Sequence, residues 1–121
     1  MSNPSSSAES IKLNVGDYLL YEGEESTEMY YLQQGTLAVF KRKGEKEQQI
    51  GTIISGELVG EMSFLDKHPR SASVKAMTEC TLVVVPHEKL EATLNGLPKW
   101  FTALLLTLLD RLRKANARIK I

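Results

Sequence analysis

The sequence predicts a mainly β fold with C-terminal helices, a barrel or sandwich of short strands followed by two helical segments. Between Asp17 and Pro86, short runs rich in Tyr, Val, Phe, Ile and Thr are punctuated by Gly-containing turns, the signature of pleated, half-buried surface. After Pro86 the apolar spacing lengthens to three and four residues, the period of a helix. A chain of 121 residues has room for a single core and not for two.

The elements follow in order. The opening "MSNPSSSAES" reads as a disordered lead, with residues 1–14 assigned to that lead and a short helical entry, and the barrel to residues 15–86. "DYLLYEGEES" is a strand ending at Gly23. "EMYYLQQGTLAVFKRKGEKEQQIGTII" gives three more strands, broken at Gln34-Gly35 and at Lys43-Gly44-Glu45. Ser55-Gly56 is a further turn, and "RSASVKAM" and "CTLVVVP" are two further strands. In residues 87–121, "HEKLEATLNG" forms a short helix stopped at Asn95-Gly96. Pro98 opens a second helix, a position where proline is tolerated. Phe101, Leu105, Leu108, Leu112, Ala115 and Ile119 mark a heptad seam along it, widened by Trp100, Leu104 and Leu109. Such a seam fits either a parallel homodimer or packing against the barrel.

Composition removes several functional classes. Fifteen basic and fifteen acidic residues cancel, so no global field favours nucleic acid or a membrane surface as a partner. The lone Cys80 excludes an internal disulfide framework, fits a reducing compartment, and reads as an inert core thiol within "ECTLVVVP". The N-terminal stretch lacks the pattern of a signal peptide, and "ALLLTLL" is too short to cross a bilayer. A cytoplasmic location is expected. His68 reads as a surface residue, His87 as a helix-start residue, and Lys41-Arg42-Lys43 as a solvated hairpin tip beside Glu45 and Glu47. No residues stand at metal-ligand spacing and no Ser/His/Asp or Cys/His set suggests nucleophilic catalysis, so no metal and no enzyme activity are expected.

One segment carries chemistry: "GELVGEMSFLDKHPRSASVKA", Gly56 to Ala76. Gly60 to Leu65 is long enough for about one helical turn, whose amide N–H groups lack intrahelical partners and attract an anion. Gly60 permits close backbone approach. Arg70, placed at the start of the next strand, offers a planar fork suited to phosphate oxygens, and Ser71 adds a donor beside it. Glu61 can only accept, and so wants a hydroxyl. A Glu and an Arg at this spacing are ordinarily a solvated surface pair; the glycines, the proline and the small residues around them set this pair apart. The implied pocket is bipolar, with phosphate at one end and a sugar hydroxyl at the other.

This segment resembles the phosphate-binding cassette of cyclic nucleotide-binding domains, as found in the regulatory subunit of cAMP-dependent protein kinase, the bacterial catabolite activator protein and cyclic nucleotide-gated channels. Gly60, Glu61, Met62, Ser63, Phe64, Pro69, Arg70, Ser71, Ala72, Ser73, Val74 and Ala76 all match the family pattern. The similarity runs from about Val15 to the end. It implies a double-stranded β-helix (jelly-roll) barrel followed by two helices. It also implies Glu61 on the ribose 2′-hydroxyl, Arg70 on the cyclic phosphate, backbone donors at Ser63 and Ser71, and Gly60 and Met62 as backbone and wall, flanked by Val59 and Ala72. In the family the C-terminal helix closes over the base, a role that falls here to residues around Arg111, Leu112, Ala115 and Asn116. The ligand expected is cAMP, with cGMP left open because Ser71 does not discriminate. The implied function is a sensor that repositions its C-terminal helix to control an effector domain or partner, as a free-standing chain or as part of a longer one. The alternatives are a dimerisation module with a vestigial pocket and a phosphodiesterase.

Overall fold

The computed structural model describes residues 9–119, with side chains through Ala115. The lead at residues 1–8 lies outside the described residues. The chain forms two compact units, one ending at Val85 and one beginning at Pro86.

The first unit holds eight strands and one short helix: β1 (Ser10–Leu13), β2 (Tyr18–Leu20), β3 (Tyr30–Gln34), β4 (Thr36–Lys43), β5 (Lys46–Ile54), β6 (Leu58–Val59), α1 (Glu61–Asp66), β7 (Ser73–Ala76) and β8 (Cys80–Val84). They build two four-stranded sheets in the orders β1-β8-β3-β6 and β2-β7-β4-β5, every pairing antiparallel. Only the β4–β5 hairpin stays within one sheet; every other connection crosses to the opposite one. That order is the eight-stranded jelly roll.

Alternation explains which faces meet. Tyr30 and Leu32 of β3 are buried while Tyr31 and Gln33 are only half-buried. Leu20, Leu32, Leu37, Val59, Val74 and Leu82 pack as one cluster between the sheets. Each such side chain contributes about 1.5–3 kcal/mol on leaving water. Cys80 is 3% exposed in this cluster, a free thiol whose Sγ donates to the carbonyls of Thr36 and Thr78 at 3.4 and 3.3 Å.

Three local expectations change. Residues 10–13 form a strand and not a helical entry: Ile11 and Leu13 pair with Leu82 and Cys80 of β8, a contact nearly the whole barrel away in sequence. Four residues are too few to separate a period of two from one of 3.6. The strand expected to end at Gly23 stops at Leu20, and Gly23 lies beyond it at φ 84. β6 has two residues and no pattern of its own; it exists because Val59 and Leu58 pair with Tyr30 and Tyr31.

The second unit comprises α2 (His87–Asn95) and α3 (Lys99–Ile119). α2 begins at His87 and ends where Gly96 caps it by donating to Ala92 and Thr93 carbonyls, and α3 follows directly on Pro98. Along α3, Trp100, Leu104, Leu108 and Leu112 stand exposed at 68%, 47%, 52% and 49% in steps of four, whereas Phe101 and Leu105 are half-buried. The apolar stripe left open is thus one row removed from part of the expected heptad seam. No described helix is long and apolar enough to cross a membrane.

Gly35 joins β3 to β4 at φ 102, and a Cβ there would sit 2.5 Å from the Glu79 carbonyl and 2.7 Å from Cys80 Sγ. Both the left-handed backbone and the contact oppose a side chain. Gly35→Ala is expected to lower unfolding free energy by about 2 kcal/mol or more in a denaturant titration.

Candidate functional site

The site begins at a single turn of helix. Gly60, in the left-handed region at φ 82, turns the chain from β6 into α1, and Lys67 ends the helix in the same region, its N–H donating to the Ser63 carbonyl. The amides of Glu61, Met62 and Ser63 find no acceptor among the described residues, as the first turn of a helix dictates. Gly60 is required for a second reason. A Cβ on it would lie 2.6 Å from Arg70 Nη1 and 2.9 Å from the Glu28 carbonyl oxygen.

Arg70 is not at the start of a strand, as the pattern suggests; it sits in the loop three residues before β7. The loop between β2 and β3 grips it twice. Its backbone N–H donates to the Glu24 carbonyl at 2.9 Å, and its carbonyl accepts from Gly23 N–H at 2.8 Å. The residue is only 4% exposed. Nε donates to Ser26 Oγ at 2.8 Å, Nη1 to the Gly60 carbonyl at 3.2 Å and Nη2 to the Glu28 carbonyl at 2.8 Å. A guanidinium has five N–H donors, so each terminal nitrogen keeps one to offer. All three acceptors are neutral, and among the described residues no carboxylate lies within ion-pair distance of the group. Burial holds the Arg70 guanidinium below its ordinary range, partly offset by the acidic groups of Tyr30, Glu24, Glu28 and Glu61. It stays protonated nonetheless.

α1 and the Arg70 loop wall one cavity of about 660 Å³, within the size range of small-molecule pockets. Val59, Gly60, Glu61, Met62 and Ser63 line one side, and Arg70, Ser71 and Ala72 another. Leu20, Val39, Ile53 and Val74 supply an apolar floor that the sequence pattern did not single out. Glu61 is exposed and makes no ion pair among the described residues, so its carboxylate is open as an acceptor. Ser71 and Ala72 likewise present amides with no acceptor among the described residues. Their peptide is held from behind: Lys41 Nζ donates to the Ser71 carbonyl at 2.8 Å and lies 3.7 Å from Glu22 Oε2. Lys41 is therefore a half-buried brace and not part of a solvated tip. Because N–H and C=O point oppositely across a peptide, a carbonyl tied to Lys41 turns the Ala72 N–H away from it.

Ser26, the Glu28 carbonyl and Lys41 were not legible as site residues, since each acts through contacts distant in sequence. The signals nearest to them were Gly23 and the polar "EGEES" run. Arg111 and Leu112 are exposed on α3, in the second unit, and the side chain of Asn116 lies outside the described residues.

A jelly roll with a cavity lined by the unpaired amides of α1 and of Ser71 and Ala72, by a buried cation and by an exposed carboxylate has the donors and acceptor that suit a small ligand carrying both an anion and a hydroxyl. The model of the cyclic nucleotide-binding domain matches residues 10–96, and the chain belongs to that family. It is 33% identical over 105 residues to the human (Homo sapiens) potassium/sodium hyperpolarization-activated cyclic nucleotide-gated channel 4, covering 84% of this chain and 8% of the channel. The chain thus spans a small fraction of the curated relatives it matches. Among solved structures it resembles the EAL enzyme Bd1971 in its cAMP-bound form, with TM-score 0.85 and 26% identity, covering 93% of this chain and 30% of that one. It also resembles the Thermus thermophilus catabolite activator protein, with TM-score 0.72 and 29% identity, over 93% of this chain and 54% of that one.

Gly60→Ala forces the new Cβ against Nη1 of Arg70, so the fork must leave its place. Affinity for a cyclic nucleotide is expected to fall by about tenfold or more in calorimetry, with folding retained by circular dichroism.

Proposed function

We propose that this chain is a cAMP sensor that binds its ligand without turning it over and conveys occupancy through its C-terminal helix to an effector. The observation that carries this is the buried, charged Arg70, which has three neutral acceptors and, among the described residues, no carboxylate within ion-pair distance. A buried charge left uncompensated is costly, and an anion entering the cavity supplies the missing countercharge. The cyclic phosphate takes the two remaining N–H groups of Arg70 and the amides of Ser63 and Ser71. Glu61 accepts the ribose 2′-hydroxyl. The apolar floor receives the sugar and base, with Arg111, Leu112 and Asn116 closing over the base. Support for a cyclic nucleotide comes from the cAMP-bound and cGMP-bound forms of the EAL enzyme that this fold resembles and from the match to a cyclic nucleotide-gated channel; cAMP over cGMP is our choice between them.

The exposed row Trp100, Leu104, Leu108 and Leu112 supports a homodimer through α3, because so contiguous an apolar stripe gains from being covered. Sedimentation at micromolar concentration is expected to give a dimer, and Leu104→Glu with Leu108→Glu a monomer.

A cyclic mononucleotide has roughly two dozen heavy atoms, and about 0.3 kcal/mol for each gives about 7 kcal/mol, which is micromolar binding. Arg70→Ala is expected to weaken cAMP binding at least about tenfold, and Arg70→Lys also to weaken it by losing the fork. Calorimetry on both variants tests the assignment, and unchanged dissociation constants would refute it. Competitive titration with cGMP tests the base preference, for which a tighter fit of cAMP is expected.

A further inference from the structure

Ser26 makes one of the three bonds that hold the guanidinium, yet it belongs to no motif. Arg70 Nε donates to Ser26 Oγ at 2.8 Å, and Ser26 Oγ donates in turn to Glu24 Oε1 at 3.3 Å. A hydroxyl has one proton and two lone pairs. With its proton given to Glu24, Ser26 meets Arg70 purely as an acceptor. The carboxylate of Glu24 is thereby kept one hydroxyl away from the cation. Had position 26 carried an acid, the pair would have closed within the protein and the charge on Arg70 would have been spent there.

We propose that Ser26 is a positioning residue of the anion site, whose neutral oxygen fixes the edge of Arg70 while leaving the guanidinium charge for the phosphate of the ligand. This rests on the cyclic-nucleotide reading given above. Two variants should act with different signs. Ser26→Ala leaves the Nε–H without its acceptor and frees the fork to swing, which weakens ligand and protein together. Ser26→Asp, made together with Glu24→Gln so that no second carboxylate adjoins it, places a carboxylate against the same edge and completes an internal ion pair. The unliganded protein gains, because a buried charge acquires a partner, and the ligand loses, because its phosphate now meets a neutralised site.

The test uses the full 121-residue chain, with cAMP as the probe, by calorimetry and by thermal melting with and without ligand. Ser26→Ala is expected to weaken cAMP binding about five- to tenfold, and Ser26→Thr, which keeps the hydroxyl, to restore it to within about twofold. Ser26→Asp with Glu24→Gln is expected to bind more weakly than Ser26→Ala and yet to melt above the wild type without ligand. A residue that serves only folding would move melting temperature and affinity in the same direction in every variant. The inference is overturned if Ser26→Asp with Glu24→Gln lowers both, or if Ser26→Ala binds as the wild type does. Should the wild type itself fail to bind cAMP, the sensor reading falls and takes this inference with it. Should the wild type bind while all Ser26 variants match it, only the role of Ser26 falls.

Discussion

A cation buried without an anion is the constraint on which the rest of this domain depends. Arg70 cannot shed its proton, and at 4% exposure it has left most of its water behind. Effective penalties for such a group run to several kcal/mol. Three hydrogen bonds to neutral oxygens, each contributing roughly 1.5–3 kcal/mol to a charged donor, offset much of that cost. They do not neutralise the charge. The jelly-roll core supplies the stability that tolerates the remainder, and the long-range sheet pairings hold the Arg70 loop where its fork must be. Because the field of an unneutralised guanidinium is stronger in a low-dielectric wall than in water, the group that is costly to bury is also the one that, on the proposed reading, would give an anion its strongest contact.

The same segment also sets which anion fits. Gly60 does two things at once: its left-handed backbone starts α1, and its missing side chain lets Arg70 lie against the chain at that point. α1 can then be short, since its value lies in amides at its start and not in its length. Across the cavity, Lys41 ties the Ser71 carbonyl outward and so orients the following amide. An exposed carboxylate at Glu61 opposes a bare anion, so on the proposed reading the pocket would favour a ligand whose negative charge and hydroxyl are held a fixed distance apart. A free phosphate would meet the cation and leave the carboxylate unanswered.

Much of this was legible in the sequence, for reasons that particular residues make clear. β3, β4, β5 and β8 are long enough for alternation to show, and Gly35 and Gly44 punctuate them. Gly60, Glu61 and Arg70 are close in sequence, so the polarity of their pocket follows from local chemistry alone. What was hidden is non-local. β1 is a strand because β8 offers it a partner, and β6 because β3 does. Ser26 and Lys41 bear on the site through partners 44 and 30 positions away, a separation at which no spacing rule applies. Lys41 was misread for the same reason: next to Arg42 and Lys43 it looks like one charge among several on a turn, and only the fold shows what its ammonium touches.

Occupancy of the cavity cannot by itself constitute a signal. A ligand shifts an equilibrium only by the difference in its affinity for two states, and every wall of the cavity comes from the first unit. Contacts made there stabilise that unit by mass action and discriminate between arrangements of α3 only if α3 touches the ligand in one of them. The open row from Trp100 to Leu112 gives such a choice an energetic stake. At about 25 cal/mol per Å², covering these side chains in one arrangement and exposing them in another is worth several kcal/mol, comparable to the coupling free energies of known switches. On the proposed reading Arg70 and α3 would address different halves of the problem, the first deciding whether ligand is held and the second whether holding it has any consequence.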